Sequence, residues 1–563
     1  MIERKAMFSP RITQSPFGMY DFSDYAFSQM AHKGFDAINL WLKDPYTDKR
    51  GYQIDVNFIA QRAFRYGIDV YVELYTPHDK HPDDEGAQEY YDNLYGKLYS
   101  VCPIIKGVVL VGEANQFKSK DERVGKTPFM ANFEENIPTG KTSPGWWPCR
   151  DYPAWVSLIN NAVKKYRADA QVVFCTYNWG YAPEKDRVEL INNLPSDVAL
   201  MATWDMFHKY KVGDSVEDVC DYTLSFVGPG EYFLSEAKTA KARGIKMFTI
   251  ANSAGKTWDF GTIPYEPMAQ QWIKRYESMR KVNKELDLCG VLENIHYGFH
   301  PSIISELEKV AFFSPDTDLN LALMELAKRD FGDGYEKAIK AMEYLSLGIE
   351  HYVPTNEDQY GAFRIGPAYP LWSQEENGLP VGLVGGGKKP SYPHAMFGNS
   401  IYFGTYTIDN GGKSTLPGIR IYDEIKSLEK MREYFEKAID LINSVSQPTD
   451  KLLRLKNMIE YMLCTCITGI NVKKHYILKQ KLTVVGDREK AEKIIDELNE
   501  LLVLERQNAL NAIPLVRKDS LLGYEPSMEY IGDEECILWK IRQIDYELSS
   551  ILPKYRLENN LKV

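Results

Sequence analysis

The sequence lacks any uncharged apolar run of about 18 residues, the length that a membrane-spanning helix requires. It also lacks a block of consecutive Lys or Arg, and its net charge of -11 over 563 residues argues against binding to nucleic acid or to an anionic membrane. Its first residues contain no apolar core of a secretion signal. We therefore expect a cytoplasmic protein that binds neither nucleic acid nor membranes.

Several signatures of cofactor and nucleophile chemistry are also missing. The nine His residues form no HExxH motif, no Walker A or GxSxG motif occurs, and the Gly-rich run at residues 385–389 has no clear strand before it. The eight cysteines are scattered, several of them inside apolar runs, which is typical of reduced buried thiols rather than of disulfides. We predict a protein that uses no metal and no other cofactor.

Aromatic residues, by contrast, are abundant: they make up 13% of the chain, with 37 Tyr and 10 Trp. Ring faces stack on the apolar C–H faces of pyranose sugars, so this composition suits a protein that binds a neutral sugar. A large aromatic core accounts for the same composition equally well.

Up to about residue 310, short apolar runs alternate with amphipathic stretches, which is the pattern of βα units. The predicted strands are 8–12, 37–42, 70–75, 108–113, 172–178, 200–206, 246–252 and 291–297. They predict a (β/α)8 TIM barrel over residues 1–315. Because the first strand is short, a seven-stranded or open doubly wound sheet is the alternative.

The rest of the chain reads as mainly helical. Residues 316–424 form a predicted helical segment with a Gly/Pro-rich aromatic insertion that could cover the active site. Residues 425–563 carry long apolar repeats of helical spacing and predict an α-helical C-terminal domain. The aromatic insertion and this tail together could also support a homodimer.

Barrel enzymes carry their reacting groups at the C-terminal ends of the strands. The carboxylates at or near the predicted ends are Asp44, Glu73, Glu113, Asp205 and Glu293. Glu113 stands out because it ends an apolar run directly after Gly112, which lets a ligand approach closely, and because a long loop with paired Trp follows. A structural Glu paired with a nearby cation is the alternative.

Glycoside hydrolysis needs an acid and a second group that stabilises the positively charged transition state. We predict Glu113 as the general acid/base and Glu293 as its partner, ahead of Asp205, because Glu293 interrupts an apolar strand. Polar and aromatic residues that converge at the strand ends are predicted to bind the substrate. They are Arg11, Asp44, Trp147, Tyr177, Asn178, Trp179, Trp204, Asn252, His296 and Tyr297.

The segment 358–370 combines Asp358, Tyr360 and Arg364 with Gly and Pro. One interpretation is a rigid joint in which Arg364 pairs with Asp358. The other is a lid in which all three side chains bind the sugar, and an Arg364 that faces the pocket would favour a uronic acid.

Together, segments 7–11, 107–113, 177–180, 290–298 and 358–370 resemble a group of largely uncharacterised bacterial barrel proteins. More broadly, a barrel with an acidic residue ending its fourth strand and a helical C-terminal domain resembles exo-acting β-N-acetylhexosaminidases, α-N-acetylglucosaminidases and α-glucuronidases. The resemblance implies a β-N-acetylhexosaminidase that acts on an oligosaccharide or glycoside. An α-glucuronidase-like or other exo-glycosidase, or a non-catalytic carbohydrate-binding barrel, is the alternative.

The chain departs from the hexosaminidase pattern at one position. Family 20 hexosaminidases have an Asp before the catalytic Glu to orient the acetamido group of the substrate, whereas this chain has Gly112. The resemblance therefore implies that Asp205 takes this role or that Glu293 serves directly as nucleophile or base.

Overall fold

The computed structural model describes residues 6–14, 22–49, 51–114, 117–125, 141–219, 222–355, 361–371, 415, 417–526 and 530–562. Within this part of the chain, eight parallel strands form a closed barrel. They are β1 (Arg11–Thr13), β2 (Ala37–Asp44), β3 (Asp69–Leu74), β4 (Gly107–Val111), β5 (Gln171–Cys175), β6 (Ala199–Thr203), β7 (Lys246–Ile250) and β8 (Leu288–Asn294).

Closure follows from the pairing of the strands. Each strand pairs in parallel with the next one along the chain, and β1 pairs with both β8 and β2. The predicted (β/α)8 barrel is confirmed, and all eight strands overlap their predicted ranges. The seven-stranded and open alternatives are wrong, because the short β1 holds the two edges together.

One helix follows each strand and covers the barrel. These helices are α1 (Asp24–Lys33), α2 (Val56–Arg65), α3 (Ala87–Val101), α4 (Tyr152–Tyr166), α5 (Glu184–Asn193), α6 (Glu231–Arg243), α7 (Ala269–Leu286) and α8 (Ile303–Phe313). Local sequence sets several of their ends. The Ser23 side chain accepts a hydrogen bond from the Ala26 amide to begin α1, and Gly34 ends it in the left-handed region.

Side chains on the strands alternate between two environments. Ile12, Tyr71, Val109, Phe248 and Leu292 belong to a cluster inside the barrel, whereas neighbouring strand residues pack outward against the helices. Because successive side chains point to opposite faces, every second residue beyond this cluster also faces the interior, toward the C-terminal mouth.

The described part of the C-terminal half is mainly helical, as predicted, and also contains one short hairpin, Tyr524–Glu525 with Tyr530–Ile531. Its helices are α9 (Leu319–Phe331), α10 (Tyr335–Ile349), α11 (Ala362–Ile365), α12 (Pro417–Asn443), α13 (Asp450–Val484), α14 (Arg488–Lys518), α15 (Glu534–Tyr546) and α16 (Leu552–Glu558). One hydrophobic cluster runs from Phe8 to Ile541 across the barrel and these helices. The domain boundaries at 315 and 424 therefore stay predictions.

Most of the predicted insertion, residues 372–414, lies outside the described residues. None of the helices in the described part of the chain is long and apolar enough to cross a membrane.

Candidate active site

Glu113 lies in the turn that directly follows β4 and is half-buried. The Asn178 side chain, from the segment after β5, donates a hydrogen bond from Nδ2 to Glu113 Oε1 at 3.0 Å. Asn178 has φ 65°, a left-handed conformation that Asn adopts more readily than most residues. The ends of two neighbouring strands thus bring a carboxyl and an amide together.

Burial raises the pKa of Glu113 to about 7, against the opposing effects of the Asn178 hydrogen bond and the Lys49 charge. A carboxyl in this range is partly protonated at neutral pH. It can therefore donate a proton and take it back, which is the task of a general acid/base.

Gly112 is required by the packing beneath Glu113. A Cβ at this position would lie 2.2 Å from Cζ2 of Trp179, which is fully buried and donates from Nε1 to the Gly145 carbonyl at 2.8 Å. Trp179 was predicted to bind substrate, but it supports the turn from below and has no surface left for a sugar.

A second carboxylate, Glu73, faces the interior of the barrel. It lies on β3, two residues after Tyr71 of the interior cluster, and is buried. Burial raises the pKa of Glu73, and the positive charge of Lys49 is the largest opposing effect. The sequence showed Glu73 within a strand, and its spacing from Tyr71 was the signal that would have placed it inside.

Lys49 was missed by the sequence analysis because it lies in the loop after β2, outside any motif. Its Nζ lies 3.9 Å from the ring centroid of Tyr75 and 4.3 Å from that of Trp41. Burial lowers the pKa of Lys49, against the negative charges of Glu73 and then Glu113. The charges of both carboxylates therefore act on Lys49.

A continuous series of aromatic side chains lines the mouth. His296 meets Trp41 edge-on at 4.8 Å between ring centroids and Trp258 at 5.1 Å. Trp258 in turn meets Tyr222 at 5.2 Å, and Tyr222 stacks on Tyr177 at 6.2 Å. Burial lowers the pKa of His296 well below its usual value, so this ring is neutral at neutral pH. Tyr222, Trp41 and Trp258 are buried, so Tyr177 and His296, which are partly exposed, are the members of this uncharged series that a sugar could contact.

Arg364 is carried to the mouth by the short helix α11. Its guanidinium carbon lies 4.1 Å from the ring centroid of Trp258 and 5.4 Å from that of Tyr297, while Nε donates to Glu525 at 2.7 Å. The helical region thus contributes a buried side chain beside the aromatic series, and the lid interpretation stays a prediction. Asp358 and Tyr360 lie outside the described residues, so the pairing of Arg364 with Asp358 stays a prediction.

Glu293 lies on the opposite side of the barrel wall. Arg11 donates to it from Nε at 2.5 Å and from Nη2 at 3.0 Å, and also donates to Glu308 of α8 at 3.2 Å. All three side chains are buried between strand and helix, because Glu293 directly follows Leu292 of the interior cluster and so points outward. The structure brings neither Arg11 nor Glu293 to the mouth.

Asp205 is also fully buried. Its Oδ2 accepts hydrogen bonds from the Thr223 amide at 3.1 Å and from Arg275 of α7 at 2.9 Å, and burial raises its pKa to about 6. The adjacent Trp204 is buried as well and donates to the Val227 carbonyl at 2.8 Å. Both residues hold the segment after β6 against the helix layer rather than facing a substrate.

Three further predicted residues have local partners. Asp44 accepts a hydrogen bond from the Tyr46 amide at 2.8 Å in a turn, and Trp147 lies with its ring centroid 5.9 Å from the Arg123 guanidinium. Asn252 is on the interior face and accepts from the Ile295 amide at 2.7 Å, which joins the ends of β7 and β8. Only Asn252 has a position near the barrel interior.

Among the described residues, no group of three or more His, Cys, Asp or Glu side chains is arranged to hold a metal ion.

Comparisons with known proteins bear on the fold alone. No family model matches the chain, and no curated protein matches it. Among solved structures, a GH138 enzyme targeting pectin rhamnogalacturonan II is similar with a TM-score of 0.56 and 11% identity, over 100% of this chain and 70% of that one. A mutant of the Thermobaculum terrenum O-GlcNAc hydrolase is 10% identical with a TM-score of 0.38, over 98% and 97% of the two chains. At such identities the first likeness establishes the barrel with its helical region.

Proposed function

We propose that the protein is an exo-acting glycoside hydrolase in which Glu113 is the general acid/base. The observation that carries the proposal is a half-buried carboxyl with a pKa of about 7 at the C-terminal mouth of a (β/α)8 barrel, where such enzymes carry their reacting groups. Protonation of the leaving oxygen requires an acid that keeps its proton near neutral pH, and a raised carboxyl pKa provides one. The fold likeness to a GH138 enzyme supports this class of reaction.

The first substrate class to test is the β-N-acetylhexosaminides. The cations beside the aromatic side chains already have partners: the charges of Glu73 and Glu113 act on Lys49, Arg364 is paired with Glu525, and Lys256 donates to the carbonyls of Gly261 and Ile263. An additional carboxylate on the substrate would compete with these partners, so the arrangement favours an uncharged sugar over a glucuronide. The aromatic series suits the sugar ring and the methyl of an acetamido group.

Gly112 limits how an acetamido group could take part. Because a Cβ at residue 112 would collide with Trp179, no Asp can stand directly before Glu113 in this fold. Any carboxylate that assists from the protein must come from another strand.

A non-catalytic carbohydrate-binding barrel is the competing function. Sugar binding alone does not require a carboxyl that is partly protonated at neutral pH, whereas acid/base catalysis does. The raised pKa of Glu113 therefore favours the hydrolase over the binding protein.

The test is a panel of 4-nitrophenyl glycosides, read by released phenol for both the sugar and the anomer. We expect cleavage of β-N-acetylhexosaminides and a loss of about 100-fold or more in kcat/KM in Glu113→Gln, with sugar binding retained in calorimetry. The matched control is Glu89→Gln, the same chemical change at an exposed carboxylate on α3, which should leave turnover unchanged.

Two outcomes would contradict the proposal. If the wild-type protein binds oligosaccharides but cleaves no glycoside, the binding barrel is the better description. If Glu113→Gln turns over substrate like the wild type, Glu113 is not the acid.

A further inference from the structure

The barrel mouth contains a second carboxylate that faces the same interior as Glu113. Glu73 on β3 lies directly beside Val109 on β4, and Val109 faces the barrel interior. Glu113 is four residues further along the chain, so it lies on the same face, two side chains nearer the rim. Glu73 is only 6% exposed. The two carboxylates therefore come from neighbouring strands, with Glu73 deeper in the barrel and Glu113 nearer the rim.

Lys49 is held between two aromatic rings beside this deeper carboxylate. Ring centroids of Tyr75 and Trp41 within 3.9 and 4.3 Å of Nζ give it cation–π contacts on two sides. The charge of Glu73 has a larger effect on the pKa of Lys49 than the charge of Glu113. The two rings therefore confine the ammonium at a place where the charges of both carboxylates act on it.

The two carboxyl groups differ in the neighbours that oppose the effect of burial on their pKa values. At Glu73, the positive charge of Lys49 and a hydrogen bond from Tyr75 are the largest effects that lower the pKa. At Glu113, the largest effect that lowers the pKa is a hydrogen bond from the neutral Asn178 amide. Three further groups lie near the carboxylates: His296 is neutral because burial lowers its pKa well below the usual value, burial raises the pKa of the Cys175 thiol, and Arg364 is paired with Glu525.

We propose that Glu73 is the second carboxylate of the hydrolysis and that Lys49 is a positioning residue, whose ammonium between two aromatic rings favours the negative charge of Glu73. The inference rests on the proposed glycoside hydrolase function. Glu113 transfers its proton to the glycosidic oxygen. The bond between this oxygen and the anomeric carbon breaks, and the electron pair of the bond stays on the oxygen. The Glu73 carboxylate stabilises the positive charge left at the sugar, and a water molecule attacks the anomeric carbon and returns a proton to Glu113.

Glu73 fits this role where Glu293 and Asp205 do not. Both of those carboxylates are fully buried and paired with arginines on the helix side of the fold, Arg11 and Arg275. Glu73 lies on the side of the wall that a substrate entering the mouth would reach.

Aryl glycosides whose phenols differ in acidity distinguish the two roles, because an acidic phenol leaves without protonation. We expect Glu113→Gln to lose about 100-fold or more in kcat/KM on a nitrophenyl glycoside and far less on a dinitrophenyl glycoside. We expect Glu73→Gln to lose a similar factor on both substrates. Lys49→Met should move the acidic limb of the pH–rate profile to higher pH, since the charge that favours ionised Glu73 is gone.

Thermal unfolding of each variant checks that it folds, and Glu73→Asp is the second variant if Glu73→Gln does not. Glu73→Asp keeps the charge but withdraws it by one methylene, so it should also lose activity equally on both substrates. The inference is overturned if Glu73 variants match the wild type, or if they lose activity only on the poorer leaving group. A wild-type protein that cleaves no glycoside would instead contradict the proposed function itself.

Discussion

Replacing Gly112 by Ala tests whether the packing under Glu113 is as tight as the structure indicates. The new methyl carbon would start 2.2 Å from Trp179 Cζ2, and non-bonded carbons need about 3.5–4.0 Å, so the ring or the turn must move by about 1.3–1.8 Å. Trp179 is held by its hydrogen bond to Gly145 and by the rings of Tyr152 and Phe174, at 5.0 and 5.5 Å. We expect a loss of about 3 kcal/mol in the free energy of unfolding, the upper end for overpacking.

The same change should reduce activity. Trp179 directly follows Asn178, so a displaced indole moves the amide away from Glu113. We expect at least about a tenfold lower kcat/KM, since small misplacements of reacting groups cost that much or more.

The measurement is the urea unfolding midpoint together with aryl glycoside turnover. Gly418→Ala is the control, because no heavy atom lies within 4 Å of its new Cβ in the first turn of α12. This control should be neutral or more stable by about 0.4–1 kcal/mol. A Gly112→Ala protein as stable and active as Gly418→Ala would refute the reasoning.

Three further predictions follow from single contacts. Asn178→Gly keeps the left-handed backbone but removes a hydrogen bond that lowers the pKa of Glu113, so the basic limb of the pH–rate profile should move to higher pH. Arg11→Met leaves Glu293 and Glu308 without their buried cation, which should cost about 3–5 kcal/mol in chemical unfolding while turnover per folded molecule is unchanged. Folding raises the pKa of Glu113 from 4.5 to about 7, so the folded state favours the protonated carboxyl. Glu113 therefore contributes fully to the free energy of unfolding below pH 4.5, and this contribution is lost as pH rises through about 7. Glu113→Gln should therefore be more stable than the wild type by up to about 3 kcal/mol at about pH 8, with no such gain at about pH 4, in thermal or urea unfolding.

Much of the fold could be predicted because its signal is local. Alternating apolar runs and amphipathic stretches locate strands and helices, and eight such units leave few arrangements besides a closed barrel. Glu113 could be found in the same way, because a charge that ends an apolar strand is visible in one short segment.

The rest of the site depends on which face of the wall a side chain occupies. Glu293 and Glu73 both interrupt apolar strands, yet Glu293 follows an interior residue by one position and points outward, whereas Glu73 follows one by two and points inward. Strand ends judged by composition alone do not separate these cases.

Residues that meet only in the folded barrel could not be predicted from the sequence, for a different reason. Lys49, Trp258 and Tyr222 lie in loops without a motif, and only the closed barrel brings their loops to one mouth. Trp179 and Trp204 looked like sugar-binding aromatics in sequence, but each fills a gap between strand and helix.

The dependence of wild-type kcat/KM on pH tests the central claim most directly. If Glu113 is the acid, the rate on a nitrophenyl glycoside should fall about tenfold per pH unit above a limb near pH 7, because the proton needed by the leaving group is lost there. That limb should be absent in Glu113→Gln. A profile that stays flat from about pH 6 to pH 9, or a limb that survives in Glu113→Gln, would contradict the account.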